Sequence, residues 1–233
     1  MLGLDFRGHG GSEDAPTTFG VFEVEDVAGA LAWLGGRGVG RVAIVGSSMG
    51  GMTAIAAVAV LGDGSLPAAD ASLDAPRGEV AVRPRIVAVV GDSVAPEIPL
   101  VIANRIEGPF RRLIADRLVA AAGRHIGSDL RATEPIRVID LVEPVPLLLI
   151  HGDADTTVPV ADGRRLAARA GAAAEHWIVS GAEHTRAHEL APDEWEERVG
   201  AFLRRAFTEA RESAAILPEP SVAQAPGTER DPR

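Results

Sequence analysis

The stretch that most constrains this chain is Val42-Ala43-Ile44-Val45-Gly46-Ser47-Ser48-Met49-Gly50-Gly51, which runs into an Ala-rich segment ending at Leu61. Residues 42–61 carry no charge and are about long enough to cross a bilayer. They even contain the Gly46-x-x-x-Gly50 spacing of a transmembrane dimer face. The Gly-Ser cluster in the middle argues otherwise, because it punctuates a helix rather than propagating one. The two halves also differ: an apolar, mostly β-branched tetrad comes first and an Ala-rich segment second. The reading that fits both halves is a buried strand, a tight turn and a buried helix.

The same alternation recurs along the chain. Residues 86–90, 147–150 and 176–179 are short apolar runs bounded by Gly, Asp or Pro, as suits strands buried on both faces of a parallel sheet. Helical spacing falls between them. Val24, Val27, Leu31 and Leu34 share one face of 24–34. Trp195, Val199, Phe202, Leu203 and Phe207 share one face of 192–210. The fold class is therefore α/β, with a mostly parallel sheet flanked by helices. Residues 62–84, rich in Gly, Ala, Asp and Pro, read as a long loop, and 213–233, with four prolines, as a disordered tail. Between 94 and 140 lies a helical segment in which Phe110, Leu113, Ile114 and Leu118 share a face over 109–122, a candidate cap over a site.

Composition limits the function. The chain has 233 residues, enough for one domain of about 1–212 with a sizeable core. Its net charge is −10, with no Lys and no basic block, which argues against nucleic acid as partner. Without Cys there is no thiol catalysis and no Cys–metal site. Asp5 and Arg7 interrupt any signal-peptide core near Met1, so the expected location is the cytoplasm, with no membrane partner.

The turn itself has chemistry. G-x-S-x-G with Ser48 at its centre presents a hydroxyl above the sheet, where a sharp strand-to-helix turn exposes it. Gly46 and Gly50 are expected to let neighbouring backbones pass closely. The amide of Met49, at the start of the following helix, is aimed at a developing oxyanion. A serine hydroxyl needs a base, and the base needs an orienting acid. Both types follow later strands: Asp153 and Asp155 in LLLIHGDADTTVP, and His184 and His188 in WIVSGAEHTRAHEL. Asp92, in VVGDS, is a further candidate acid. His151 is expected to fix its loop by hydrogen bonds. His184 and His188 stand four apart, but no Glu completes an H-E-x-x-H pattern, so no metal and no cofactor is expected. A dinucleotide site fails as well. The second glycine of G-x-G-x-x-G would be Ser48, no ribose-binding acid ends a strand at the right distance, and the chain has neither Tyr nor Lys.

Taken in order, DFRGHGGS, GSSMGG, PVPLLLIHGDADTTVP and GAEHTRAHELAPDEW resemble the motifs of the α/β-hydrolase superfamily, in its bacterial serine esterase/aminopeptidase-like group, over about 1–210. The resemblance implies Ser48 as nucleophile, Asp155 as acid, His184 as base and Met49 as one oxyanion-hole donor. It implies a small-molecule acyl substrate and hydrolysis of an ester, thioester or amide of a small or medium acyl group. A serine peptidase and a non-catalytic remnant of the fold are the alternatives, and the oligomeric state is left open. In that family D-x-R-G-H-G-x-S follows the fourth strand, so residues 2–6 are expected to be that strand, and His9-Gly10-Gly11 is not the oxyanion loop. The chain is then N-terminally truncated. The second oxyanion donor would be missing and activity impaired, with the strands at 2–6 and 41–45 left with unpaired edges or forced to pair directly.

Overall fold

The computed structural model describes residues 1–64 and 83–216. In chain order the elements are α1 (Glu23–Gly35), β1 (Arg41–Ser47), α2 (Met49–Leu61), β2 (Arg85–Asp92), α3 (Ile98–Ala103), α4 (Arg111–Ile126), α5 (Pro135–Val138), β3 (Leu147–Gly152), α6 (Val160–Ala170), β4 (Ala174–Val179), α7 (Ala187–Leu190) and α8 (Pro192–Ile216). The four strands form one parallel sheet in the order β1-β2-β3-β4. Spatial order follows sequence order, and the strands run parallel because each connection crosses over through a helix.

Strand alternation divides the core in two. Ile86 and Val89 of β2, with Leu147 and Leu149 of β3, pack with α1, α2 and Leu166 of α6 on one face. Ala88 and Val90, with Leu148 and Ile150, pack with Trp177, Val199, Phe202 and Ala206 on the other. Both faces of the sheet are thus covered, which is why the central strands read as continuous apolar runs. On α8 the seam runs through Val199, Phe202, Ala206 and Ala210, while Phe207 lies at its exposed rim.

Several sequence expectations need correction. Residues 2–6 form no strand, and Leu2 and Leu4 are exposed. A strand is stable only when a partner takes up its ladder groups. Among the described residues nothing pairs with the outer edge of β1, so the expected unpaired edge is what β1 shows. The segment is instead folded onto its own turn. Gly11 N–H donates to Asp5 Oδ2 at 3.0 Å, Ser12 Oγ donates to the Asp5 carbonyl at 2.8 Å, and Arg7 clamps Asp26 and Glu25 of α1.

The face predicted for 109–122 is also turned outward. Phe110, Leu113, Ile114 and Leu118 are exposed, and α4 buries Ala115, Val119 and Gly123 instead. The small residues win because they allow close packing: a Cβ on Gly123 would lie 2.7 Å from the Ser128 carbonyl. Finally, α8 continues to Ile216, past the Ser213 at which the tail was expected to begin. The rest of that tail, and residues 65–82 of the expected loop, lie outside the described residues. The loop's described ends are joined by the Asp63–Arg85 ion pair at 3.2 Å and by Ile86 N–H donating to the Asp63 carbonyl at 2.8 Å.

Candidate active site

Three loops meet at the C-terminal end of the sheet, where an open parallel sheet places its binding crevice. The first is the β1–α2 turn. Ser48 has φ +49°, a left-handed conformation that a non-glycine residue adopts only when its surroundings enforce it. Enforcement comes from both sides: Ser48 N–H donates to the Asp92 carbonyl at 2.8 Å, and the Ser48 carbonyl accepts Met52 N–H at 3.0 Å. A Cβ on Gly46 would fall within 3.0 Å of the Gly50 backbone, so glycine is obligatory there. Gly50 differs from the sequence expectation, since a Cβ at that position would meet nothing within 4 Å. The second tight glycine is Gly51, whose Cβ would meet Val94 Cγ2 at 2.6 Å. The amides of Met49 and Gly50 open α2, and Met52 is the first of the helix's amides to reach a carbonyl of the turn.

The second loop joins β3 to α6. Asp155 is 4% exposed. Its Oδ1 accepts two amides, Thr157 N–H at 2.9 Å and Val158 N–H at 2.8 Å, so its Oδ2 is aimed elsewhere. His151 stands behind it, buried, with Nε2 2.7 Å from the Val158 carbonyl and 3.5 Å from Asp155 Oδ2. That is the loop-fixing role expected of it.

The third loop joins β4 to α7 and carries His184. Its Nδ1 lies 2.7 Å from Asp155 Oδ2 and its Nε2 lies 2.9 Å from Ser48 Oγ. A carboxylate can only accept, so Nδ1 carries the proton and Nε2 is free to accept from the serine hydroxyl. Burial alone would raise the Asp155 carboxyl. The His184 hydrogen bond, the Val158 amide and the nearby imidazoles outweigh it and hold that carboxyl below the usual aspartate range. The structure therefore brings Ser48, His184 and Asp155 into one hydrogen-bonded series.

The other candidates stand apart from that series. Asp153 accepts Gly181 N–H at 2.6 Å and Ser180 Oγ–H at 3.2 Å, bracing the turn before His184. His188 lies edge-on to Trp195 and 3.7 Å from Glu196 Oε1. Asp92 is buried, and that burial raises its carboxyl against the lowering influence of Ser93, His151 and His184. Among the described residues no group of three or more His, Cys, Asp and Glu could hold a metal ion. No helix among them is long and apolar enough to cross a membrane.

The sequence profile of the Alpha/beta hydrolase family matches residues 2–198. No curated protein matches the chain. Among solved structures, an esterase of Pyrococcus furiosus superposes with a TM-score of 0.58 at 22% identity, covering 86% of this chain and 68% of that one. A bromoperoxidase from Bacillus anthracis gives a TM-score of 0.54 at 18% identity, covering 86% and 80%. A puromycin hydrolase gives 0.56 at 18%, covering 82% and 26%. At such identities the likeness is one of fold, and their different activities show how many chemistries that fold carries. With the family profile spanning most of its length, the chain belongs to the alpha/beta hydrolase family.

Proposed function

We propose that the chain is a serine hydrolase acting on an ester, thioester or amide of a small or medium acyl group. The observation that carries this reading is the hydrogen-bonded series from Ser48 Oγ through His184 to Asp155, with contacts of 2.9 and 2.7 Å. In this reading Ser48 Oγ attacks the acyl carbon as its proton passes to His184 Nε2. The oxyanion accepts the Met49 amide at the start of α2. Collapse breaks the bond to the leaving group, which takes the proton from His184. Water then attacks the acyl-serine, giving its proton to the same Nε2 and regenerating Ser48. Asp155 stays ionised throughout, holding Nδ1–H and stabilising the imidazolium.

Met49 is the one oxyanion donor assigned. Removing such a donor typically slows turnover roughly 100- to 1,000-fold. We place the cap in the 94–140 segment, where Asn104 just after α3 donates to the Thr157 carbonyl at 3.0 Å and so ties that segment to the Asp155 loop.

The test is hydrolysis of p-nitrophenyl esters from acetyl to octanoyl, with aminoacyl anilides alongside. Turnover of the esters that vanishes in Ser48→Ala supports the esterase reading. Turnover confined to the anilides makes the chain a peptidase. No turnover of either sinks the reading.

A further inference from the structure

Asp92 and Ser93 sit where nucleophile and base meet the sheet, yet neither lies on the proton path from Ser48 to Asp155. Asp92 ends β2, and its carbonyl accepts Ser48 N–H at 2.8 Å. Ser93 is completely buried, has φ +55°, and donates its own N–H to the Ile150 carbonyl at 2.9 Å. Its hydroxyl makes two contacts, each 2.9 Å long, one to Thr185 N–H and one to Asp92 Oδ1. An amide can only donate, so the hydroxyl accepts from Thr185 and its single proton goes to Asp92.

Thr185 follows His184 directly and has φ +60°. A β-branched residue in that conformation is strained by roughly 1–3 kcal/mol and stays there only when its neighbours hold it. Within the turn Arg186 N–H donates to the Glu183 carbonyl at 3.1 Å, but neither group belongs to Thr185, and the Glu183 and Arg186 side chains are exposed. One dipeptide thus grips the nucleophile through its first residue and the base's neighbour through its second.

We propose that Ser93 is a positioning residue: through the Thr185 amide it sets His184 Nε2 at hydrogen-bond distance from Ser48 Oγ, with Asp92 orienting its hydroxyl. The geometry stands by itself, and the catalytic consequence rests on the serine-hydrolase reading. A misplacement of the base by about an ångström is enough to slow the chemical step roughly 100-fold.

The test uses the full chain with Ser93→Ala and Ser93→Gly. The glycine variant removes the hydroxyl while relieving the left-handed strain, so loss of the hydrogen bond is read apart from misfolding. Two quantities are measured. One is the downfield proton resonance of His184 Nδ1–H, assigned by its disappearance in His184→Gln. The other is the rate of covalent labelling by an alkyl fluorophosphonate, resolved into its saturating rate and the concentration giving half that rate. In both variants the resonance should broaden away and the saturating rate fall roughly 10- to 100-fold, with the half-saturating concentration unchanged. A Ser93 of purely structural importance would lower the unfolding temperature and leave both readouts of the folded protein intact. Retention of the resonance, or of the rate, in folded Ser93→Gly overturns the proposal, as does absence of the resonance from the wild type. A wild type that shows the resonance but takes no label refutes the hydrolase reading, and the positioning role is then judged on the resonance alone.

Discussion

Replacing Asp155 by Asn separates the chemistry of the site from its stability. Oδ1 of Asp155 accepts Thr157 N–H at 2.9 Å and Val158 N–H at 2.8 Å, and an Asn keeps both bonds only by leaving its carbonyl oxygen in that place. Its amide nitrogen must then occupy the position of Oδ2, 2.7 Å from His184 Nδ1. An NH2 group donates only, so Nδ1 has to become the acceptor and the imidazole proton moves to Nε2. Nε2 can then no longer take the proton of Ser48. A wrong tautomer in a triad of this kind lowers turnover roughly 10,000-fold, equivalent to about 5.4 kcal/mol of barrier. The fold loses little, because both loop amides stay bonded. Asp155→Ala, in contrast, strands both amides and the His184 N–H, at about 1 kcal/mol or more each, so it should destabilise by about 3 kcal/mol. The assay is ester hydrolysis with thermal unfolding on the same samples, and Asp153→Asn is the control, expected within roughly threefold of wild type, or about 0.65 kcal/mol of barrier. Asp155→Asn within tenfold of the wild type, or Asp153→Asn falling as far as Asp155→Asn, would refute the assignment.

Three further outcomes follow from the packing and the charges. Gly46→Ala should destabilise by at least about 1–3 kcal/mol, because its Cβ would enter the Gly50 backbone. Gly50→Ala should be neutral or stabilising by up to about 1 kcal/mol, being helical with open space around its Cβ; denaturant titration decides between them. Asp92 has its carboxyl raised above 3.8 by burial. The folded protein therefore holds its proton more tightly than the unfolded chain, and stability is lost as pH rises from about the ordinary aspartate value through the raised one. Asp92→Asn should accordingly gain stability at neutral pH and none at pH values well below 3.8, as followed by unfolding temperature across pH. On α4, Leu118→Ser should change stability by less than about 0.5 kcal/mol, since Leu118 is exposed. Ala115→Leu should cost about 1–3 kcal/mol, since Ala115 is fully buried, and calorimetry of the two variants compares them directly.

Much of this architecture was legible because it is written locally. An apolar run between Gly and Asp reads as a buried strand without knowledge of its neighbours, and 42–45, 86–90, 147–150 and 176–179 all fall within strands. Ser48 was legible as the polar residue following such a strand. Asp155 and His184 were among several candidates after later strands, chosen over Asp153, Asp92 and His188 by the family resemblance, and the folded chain brings the three into contact. What escaped depends on distant partners. A strand at 2–6 has the right composition but needs a neighbour to pair with. The stripe of Phe110, Leu113, Ile114 and Leu118 has helical spacing, but spacing names a face without saying which face the neighbours can approach most closely. Small residues at 115 and 123 decided that. Ser93 gave no signal beyond its place beside Asp92, because the amide it holds lies 92 residues further along the chain. The polarity of its hydroxyl is set only once that amide is in place.

In the proposed mechanism Ser48 is a nucleophile activated by His184. That activation is tested most directly by treating the full chain with an alkyl fluorophosphonate and locating the adduct by peptide mass mapping. A single adduct on Ser48 is expected, absent from Ser48→Ala and formed roughly 10,000-fold more slowly or worse in His184→Ala. An unmodified wild type, an adduct on another serine, or a His184→Ala variant that labels as fast as the wild type would contradict it.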